Sequence, residues 1–164
     1  MADTMREMGE LLHNTPDMIQ ALRRSIEENA ELRRKADEYF KERIRNLSAD
    51  LVGKAEVING VKVVVLSGVR VPEVVKGAAF ESRIQSPEKT AFIAATCDVA
   101  GKPLLTVALT DDLVADGFNA SQMVREAAKM IQGGGGGQPG FAQAGGKNRD
   151  GLTEALQSLY SKFK

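Results

Sequence analysis

The residues with the clearest chemical potential are the glycines towards the C-terminal end of the chain. Five of them are consecutive, Gly133–Gly137, and Gly145-Gly146-Lys147 follows after a short interval. Glycine has no Cβ, so another molecule can approach its backbone closely, and several converging N–H groups can bind a phosphate. Lys147 adds a positive charge, and Gln143 adds an amide able to contact sugar hydroxyls or bases. This composition therefore indicates a segment that binds phosphates, sugar hydroxyls or bases.

The sequence predicts that this stretch is a loop between two helices. Asn119 or Ser121 caps the preceding helix, which reaches Ile131, and Asn148 or Asp150 caps the last helix. In that arrangement the N–H groups before the last helix lie at its positive end, where anions are favoured. A flexible glycine linker is the alternative reading and stays open, although apolar Phe141 and the closely spaced helices weigh against it.

Two nucleotide-binding motifs are excluded by position and spacing. A P-loop requires GxxxxGK[ST] after a strand, whereas here Lys147 is followed by Asn148 and the glycines follow a helix. The dinucleotide fingerprint fails for the same positional reason. The glycine stretch therefore matches neither a P-loop nor a dinucleotide-binding site.

Few residues are available for catalysis or metal binding. Cys97 is the single cysteine and His13 the single histidine, so a disulfide, a zinc cluster and a Ser-His-Asp triad are not expected. Cys97 is expected to be a small buried residue of a strand. Asp111-Asp112 is expected to form a strand-end turn and helix cap, and Phe141 to anchor the loop in the core.

The charge is balanced overall but not locally. The chain has 164 residues with 22 basic and 22 acidic side chains, so no global field attracts nucleic acid or lipid. Residues 117–164 nevertheless contain six basic and three acidic side chains. Arg125, Lys129 and Arg149 are therefore candidate nucleic-acid contacts. For each of them, an ordinary solvated charge on a helix is an equally good interpretation. No apolar run is long enough to span a membrane, and no signal peptide is expected.

The N-terminal third predicts a helical arm, residues 1–55. A short helix over Met5–Leu12 stops near Pro16, and nothing breaks the chain from there to about Gly53. Such a helix spans about 55 Å, which is too long for a domain of this size to cover. We therefore expect a coiled-coil-like arm that pairs with another helix, against the alternative of a helix packed on its own domain.

Residues 56–164 predict a small mixed α/β domain. Asn59-Gly60 indicates a turn before the strand Val61–Leu66, and a helix runs from Pro72 to about Ser86. Strands 90–99 and 103–110 form a hairpin through Gly101-Lys102, and the last helix reaches Tyr160. The fold class is therefore α/β (α+β), with a mixed sheet covered on both faces.

Taken together, these segments resemble the C-terminal region of alanyl-tRNA synthetases, known as C-Ala. GGGGGQPGFAQAGGKN is similar to the glycine-rich signature of that family, and AEVINGVKVVVLSG to its strand leading into the C-terminal domain. LLHNTPDMIQALRRSIEENAELRRK is similar to its helical subdomain. Members often carry Arg-Pro-Asp where this chain has Gln138-Pro139-Gly140, so an arginine–phosphate contact at Gln138 is not expected. DHH-type phosphoesterases share a related motif, but a histidine usually follows their glycines.

The resemblance implies a part of an alanine–tRNA ligase without its catalytic centre. ATP, Mg²⁺ and Zn²⁺ are then expected only in other parts of the enzyme. It implies a cytoplasmic protein that binds alanine-accepting tRNA at its outer corner, dimerises through the helical arm and couples aminoacylation with editing. An oligomerisation module without RNA binding and the substrate-binding domain of a phosphoesterase are the alternatives. The tRNA contacts implied by the motif are Gly133, Gly134, Gly135, Gly136, Gly137, Gln143, Gly145, Gly146 and Lys147.

Overall fold

The computed structural model describes residues 2–13 and 16–164. The chain divides into two compact units, residues 1–42 and 43–164. That division does not test the predicted domain boundary at 55/56, which stays a prediction. The helices are α1 (Ala2–Leu11), α2 (Met18–Gly53), α3 (Pro72–Gln85), α4 (Asp111–Ala115), α5 (Ala120–Ala128) and α6 (Leu152–Ser161), with 3-10 turns at Lys129–Ile131 and Arg149–Gly151.

The first unit is helical. The Asp17 carboxylate accepts the N–H of Gln20 at 3.0 Å and so caps the start of α2. The sequence predicts either Thr15 or Asp17 as this cap, and Thr15 lies outside the described residues. Arg34 pairs with Glu31 at 2.7 Å and Glu38 at 3.1 Å along the helix surface. The predicted long helix is confirmed by α2, and ion pairs between side chains one turn apart lie along its surface.

The second unit is built on a six-stranded mixed sheet in the order β1-β2-β3-β4-β6-β5. β2 and β3 pair in parallel, with α3 between them in the chain, and every other pair is antiparallel. The predicted β3–β4 hairpin is confirmed, and Gly101 takes the positive φ of +84° that its turn requires. The strands are β1 (Glu56–Ile58), β2 (Val61–Val69), β3 (Thr90–Cys97), β4 (Pro103–Leu109), β5 (Gly134–Gln138) and β6 (Phe141–Gly145).

Helices cover both faces of this sheet. Alternate residues of the strands, such as Val63, Ile93 and Val107, pack under α5 and α6. Their neighbours, such as Val64 and Phe92, pack under α3 and the end of α2. β3 is buried along seven of its eight residues because it lies inside the sheet with helices on both sides. The mixed α/β class is confirmed.

The glycine stretch departs from the prediction. It was expected to be a loop between two helices, but it forms strands β5 and β6, which pair antiparallel at the edge of the sheet. Glycine has a low strand propensity, and a run of glycines shows no alternation of apolar and polar side chains. The sequence therefore gave no indication of strand β5. α5 also ends at Ala128 rather than Ile131, because the 3-10 turn Lys129–Ile131 and left-handed Gln132 redirect the chain into β5.

None of the helices in the described ranges is long and apolar enough to cross a membrane.

Candidate nucleic-acid interface

The glycine hairpin comprises β5, the turn Pro139-Gly140 and β6. Gly133, just before β5, and Gly135 and Gly137 within it have no room for a side chain, because a Cβ would enter the backbone of β6. A Cβ at Gly135 would lie 2.5 Å from the Cα of Ala144. These glycines are therefore required by the fold, since the two strands approach too closely for any other residue.

The hairpin also leaves backbone N–H groups on an open edge. Leu109 N–H donates to Gly140 O at 2.9 Å, and Gly146 N–H donates to Pro103 O at 3.3 Å, so even-numbered residues of β6 bond to β4. Its odd-numbered residues then bond to even-numbered residues of β5. The N–H groups of Gly135 and Gly137 consequently point away from the sheet. We call Gly133–Gly137 the glycine edge.

The prediction of a phosphate cradle at the last helix is wrong in its geometry. The N–H groups of Lys147 and Asn148 both donate to Ile131 O at 2.9 Å, and that of Gly146 is used by Pro103. Because the chain itself occupies these donors, they are not available to an anion at the start of α6. The free donors lie in a row along the glycine edge instead of converging.

Arg125 lies directly on the glycine edge. Its Nε donates to Gly135 O at 3.4 Å, and a Cβ at Gly136 would meet its Nη2 at 3.2 Å. Lys129 follows one helical turn later and is exposed. The intervening Glu126 pairs with Lys162 at 2.6 Å, and this hydrogen bond lowers the pKa of the Glu126 carboxyl. The surface beside the edge is therefore positive.

The other predicted residues are spread around the hairpin. Gln143 donates to the Thr106 hydroxyl at 3.1 Å on the opposite face of the sheet from Ala144. Lys147 is exposed just after β6. Arg149 is separate from the edge, since a Cβ on Gly101 in the β3–β4 turn would meet its Nη1 at 3.2 Å. Within residues 2–13 and 16–164, none of the basic candidates Arg125, Lys129, Lys147 and Arg149 forms an ion pair.

Two glycines of strands β5 and β6, Gly134 and Gly145, have room for a side chain. A Cβ at Gly134 would meet nothing within 4 Å, and one at Gly145 would meet only Pro103 O at 3.9 Å. These two residues face each other across the β5–β6 ladder, and neither has a positive φ. Glycine inside a strand costs about 0.5–1 kcal/mol relative to alanine. The fold therefore gains nothing from the absence of side chains at this pair.

The turn of the hairpin is held by a residue that the sequence did not single out. Arg83 of α3 donates through Nη1 to Gly140 O at 3.1 Å and to Leu109 O at 3.4 Å. Burial lowers the pKa of its guanidinium, against the opposing influence of Asp111. Phe80 stacks on Phe141 with ring centroids 4.9 Å apart, and Arg83 lies over the Phe80 ring. The expected anchoring of Phe141 is thus provided by α3, and no signal in the sequence marked Phe80 or Arg83 for this role.

The remaining candidates have structural roles. Asp112 accepts hydrogen bonds from the Thr110 hydroxyl and from the N–H groups of Leu113 and Lys89, and the Thr110 bond is the main cause of its lowered pKa. The predicted strand-end turn is confirmed, but Asp111 and Asp112 form the first turn of α4 rather than its cap, since the cap position is Thr110. Cys97 is half-buried at the end of β3, where its pairing with β2 and β4 ends, so the expected burial was wrong.

The fold and hairpin define a class of protein, the DHHA1 domains. The chain belongs to this family, whose model matches residues 38–164. It is 46% identical over 157 residues to the alanine–tRNA ligase of Bacteroides thetaiotaomicron. That match covers 96% of this chain but 18% of the ligase, so the chain corresponds to a part of that enzyme.

Solved structures agree with this assignment. The C-Ala domain of the Aquifex aeolicus alanyl-tRNA synthetase is 28% identical, with a TM-score of 0.59, and the match covers 67% of this chain and 97% of that domain. RecJ from Thermus thermophilus is 15% identical with a TM-score of 0.50, over 96% of this chain and 23% of RecJ. The second likeness shows the fold alone. The resemblance to the synthetase C-terminal region is therefore confirmed.

Proposed function

We propose that this chain is a tRNA-contacting domain of an alanine–tRNA ligase and that the glycine edge meets the outer corner of the tRNA. The bare pair Gly134 and Gly145 carries the proposal, because the fold does not need glycine there and a closely approaching partner would. RNA is recognised largely by shape, through its phosphates and 2′-hydroxyls, and backbone N–H groups suit both. Through this contact the domain would help one bound tRNA serve both aminoacylation and editing.

Charge next to the edge supports the same role. The N–H groups of Gly135 and Gly137 are two residues apart along an extended strand, roughly 7 Å. Arg125 and Lys129 flank them, and Lys147 follows the paired strand. Because the whole chain has no net charge, affinity would be modest for the domain alone and would rise when it is tethered within the enzyme. ATP, Mg²⁺ and Zn²⁺ would be bound by other parts, in a cytoplasmic enzyme.

Titration of labelled alanine-accepting tRNA at two salt concentrations tests the proposal. We expect salt-sensitive binding, and we expect Lys147→Ala to weaken it and to reduce the salt slope by about 1, as for loss of one phosphate contact. Lys41→Ala removes an exposed lysine of α2 and is the matched control. Absence of tRNA binding at low salt would refute the proposal, and RNA turnover with Mn²⁺ would favour the phosphoesterase alternative.

A second role, self-association, is favoured by the surface of α2. Large apolar side chains of the described helix are exposed, with Ile19 70%, Ile26 62% and Leu32 65% accessible. Ile19, Leu22 and Ile26 have the 3-4 spacing of a coiled-coil seam, although Asn29 and Arg33 interrupt it. We propose that α2 pairs with a second copy as a weak dimer.

Sedimentation or light scattering across micromolar concentrations measures this association. We expect the mass to rise towards that of two chains, and Ile26→Asp to keep the chain a monomer because it places a charge in the seam. Asp37→Asn on the same helix is the control. A monomer at every concentration would contradict dimerisation through α2.

A further inference from the structure

A cavity of about 310 Å³ lies beside the turn of the glycine hairpin. This size falls at the lower end of the about 300–1,000 Å³ range of small-molecule pockets. Phe80, Ile84 and Pro87 form apolar walls, and Phe80 and Ile84 remain 40% and 71% exposed. Exposed apolar side chains around an opening are suited to a flat hydrophobic ligand.

One wall of the cavity offers hydrogen-bond donors. Arg83 uses Nη1 to bind the carbonyls of Leu109 and Gly140. In the described part of the chain, its Nη2 and Nε form no hydrogen bond. A guanidinium fixed by two carbonyls keeps its plane oriented, and its remaining donors can bind two adjacent acceptors together.

The cavity also offers a hydrogen-bond acceptor. Asp111 is exposed and lines the same cavity. Its neighbour Asp112 is occupied by Thr110, Leu113 and Lys89. For Asp111, by contrast, the described residues supply no hydrogen bond and no ion pair within 4.0 Å, Arg83 included. A carboxylate and a guanidinium therefore line one cavity without forming an ion pair with each other.

We propose that this cavity binds an unpaired guanine base of the RNA. Guanine presents two adjacent donors, N1–H and N2–H₂, to a carboxylate, and two adjacent acceptors, O6 and N7, to a guanidinium. Adenine and cytosine do not offer both pairs. The apolar walls would hold the plane of the base, as in single-stranded RNA recognition. This inference rests on the proposed tRNA contact, because Arg83 and Phe80 line the cavity and contact Gly140 and Phe141 of the hairpin.

Nucleotide titration followed by NMR tests this assignment directly. We expect GMP to shift the Ile84 methyl and Phe80 ring resonances and to bind about fivefold or more tightly than AMP. Asp111→Asn should abolish the preference, because the amide cannot accept both donors. Asp116→Asn, an exposed residue just beyond α4 that does not line the cavity, should retain it. Because Asp111 is exposed and forms no hydrogen bond with the described residues, its variant is expected to fold.

The outcomes separate this inference from the proposed function. Equal binding of GMP and AMP, an unchanged preference in Asp111→Asn, or unmoved Ile84 and Phe80 resonances would overturn the guanine site even if the chain binds tRNA. If GMP binds as expected while tRNA does not bind at low salt, the tRNA proposal would fall, and the cavity would bind a guanine nucleotide rather than a guanine base of the RNA.

Discussion

Replacing Gly135 by alanine is expected to break the pairing of β5 with β6 and to lower the free energy of unfolding by about 3 kcal/mol. The added Cβ would lie 2.5 Å from Ala144 Cα and 2.8 Å from Ala144 Cβ, so backbone must move rather than a flexible side chain. Forcing atoms into a packed interior typically costs about 1–3 kcal/mol, and the backbone position of this clash places it at the upper end. Urea denaturation measures the loss.

Gly134→Ala is the matched control, one residue away on the same strand. Its Cβ enters open space, so stability should rise by up to about 1 kcal/mol, because alanine loses less conformational freedom on folding. Hydrogen exchange of the β6 amides would show the hairpin open in the first variant and closed in the second. Equal stability of the two variants would show that the strands are not packed as described.

Replacing Gly145 by valine is expected to leave the fold intact and to weaken tRNA binding at least about tenfold, which corresponds to about 1.4 kcal/mol. The nearest atom to a Cβ at this position is Pro103 O at 3.9 Å, an ordinary contact. The side chain would instead occupy the space that we assign to RNA. Fluorescence anisotropy with labelled tRNA measures the affinity, and thermal unfolding confirms that the domain is folded.

Gly53→Val serves as the control for this experiment. Its Cβ also meets nothing within 4 Å, but it lies at the end of α2 rather than in the hairpin. Unchanged tRNA affinity in Gly145→Val would mean that the bare pair does not contact RNA, and the central argument for the proposed function would fail.

The sequence predicted the strands that are rich in apolar and β-branched side chains and the turns that contain Asn-Gly or Gly. β2 and β3 are rich in apolar and β-branched residues, and Asn59-Gly60 and Gly101 mark turns that hold the positive φ values. The glycine hairpin was missed because a strand without side chains carries no periodic signal. Its strand character depends on Ala142 and Ala144, which fill the space that Cβ atoms of β5 would take.

The site was predictable in composition but not in geometry. The glycines, Gln143 and Arg125 were identified, yet which N–H groups are free depends on the pairing of β6 with β4. Arg83 is distant in sequence from the hairpin turn that it holds, so no local pattern could connect them. Tertiary contacts of this kind lie beyond single-sequence reasoning.

The glycine edge also constrains how this part of the gene can change in length. Every unit of polyglycine is identical, so inserting or deleting one glycine would exchange the amides that face β6 with those that face outward. Inserting or deleting two glycines would restore the original alternation of inward and outward amides. Ala142 and Ala144 of β6 would then again lie opposite glycines that leave room for them. Length variation in this glycine tract should therefore be tolerated in steps of two residues rather than one.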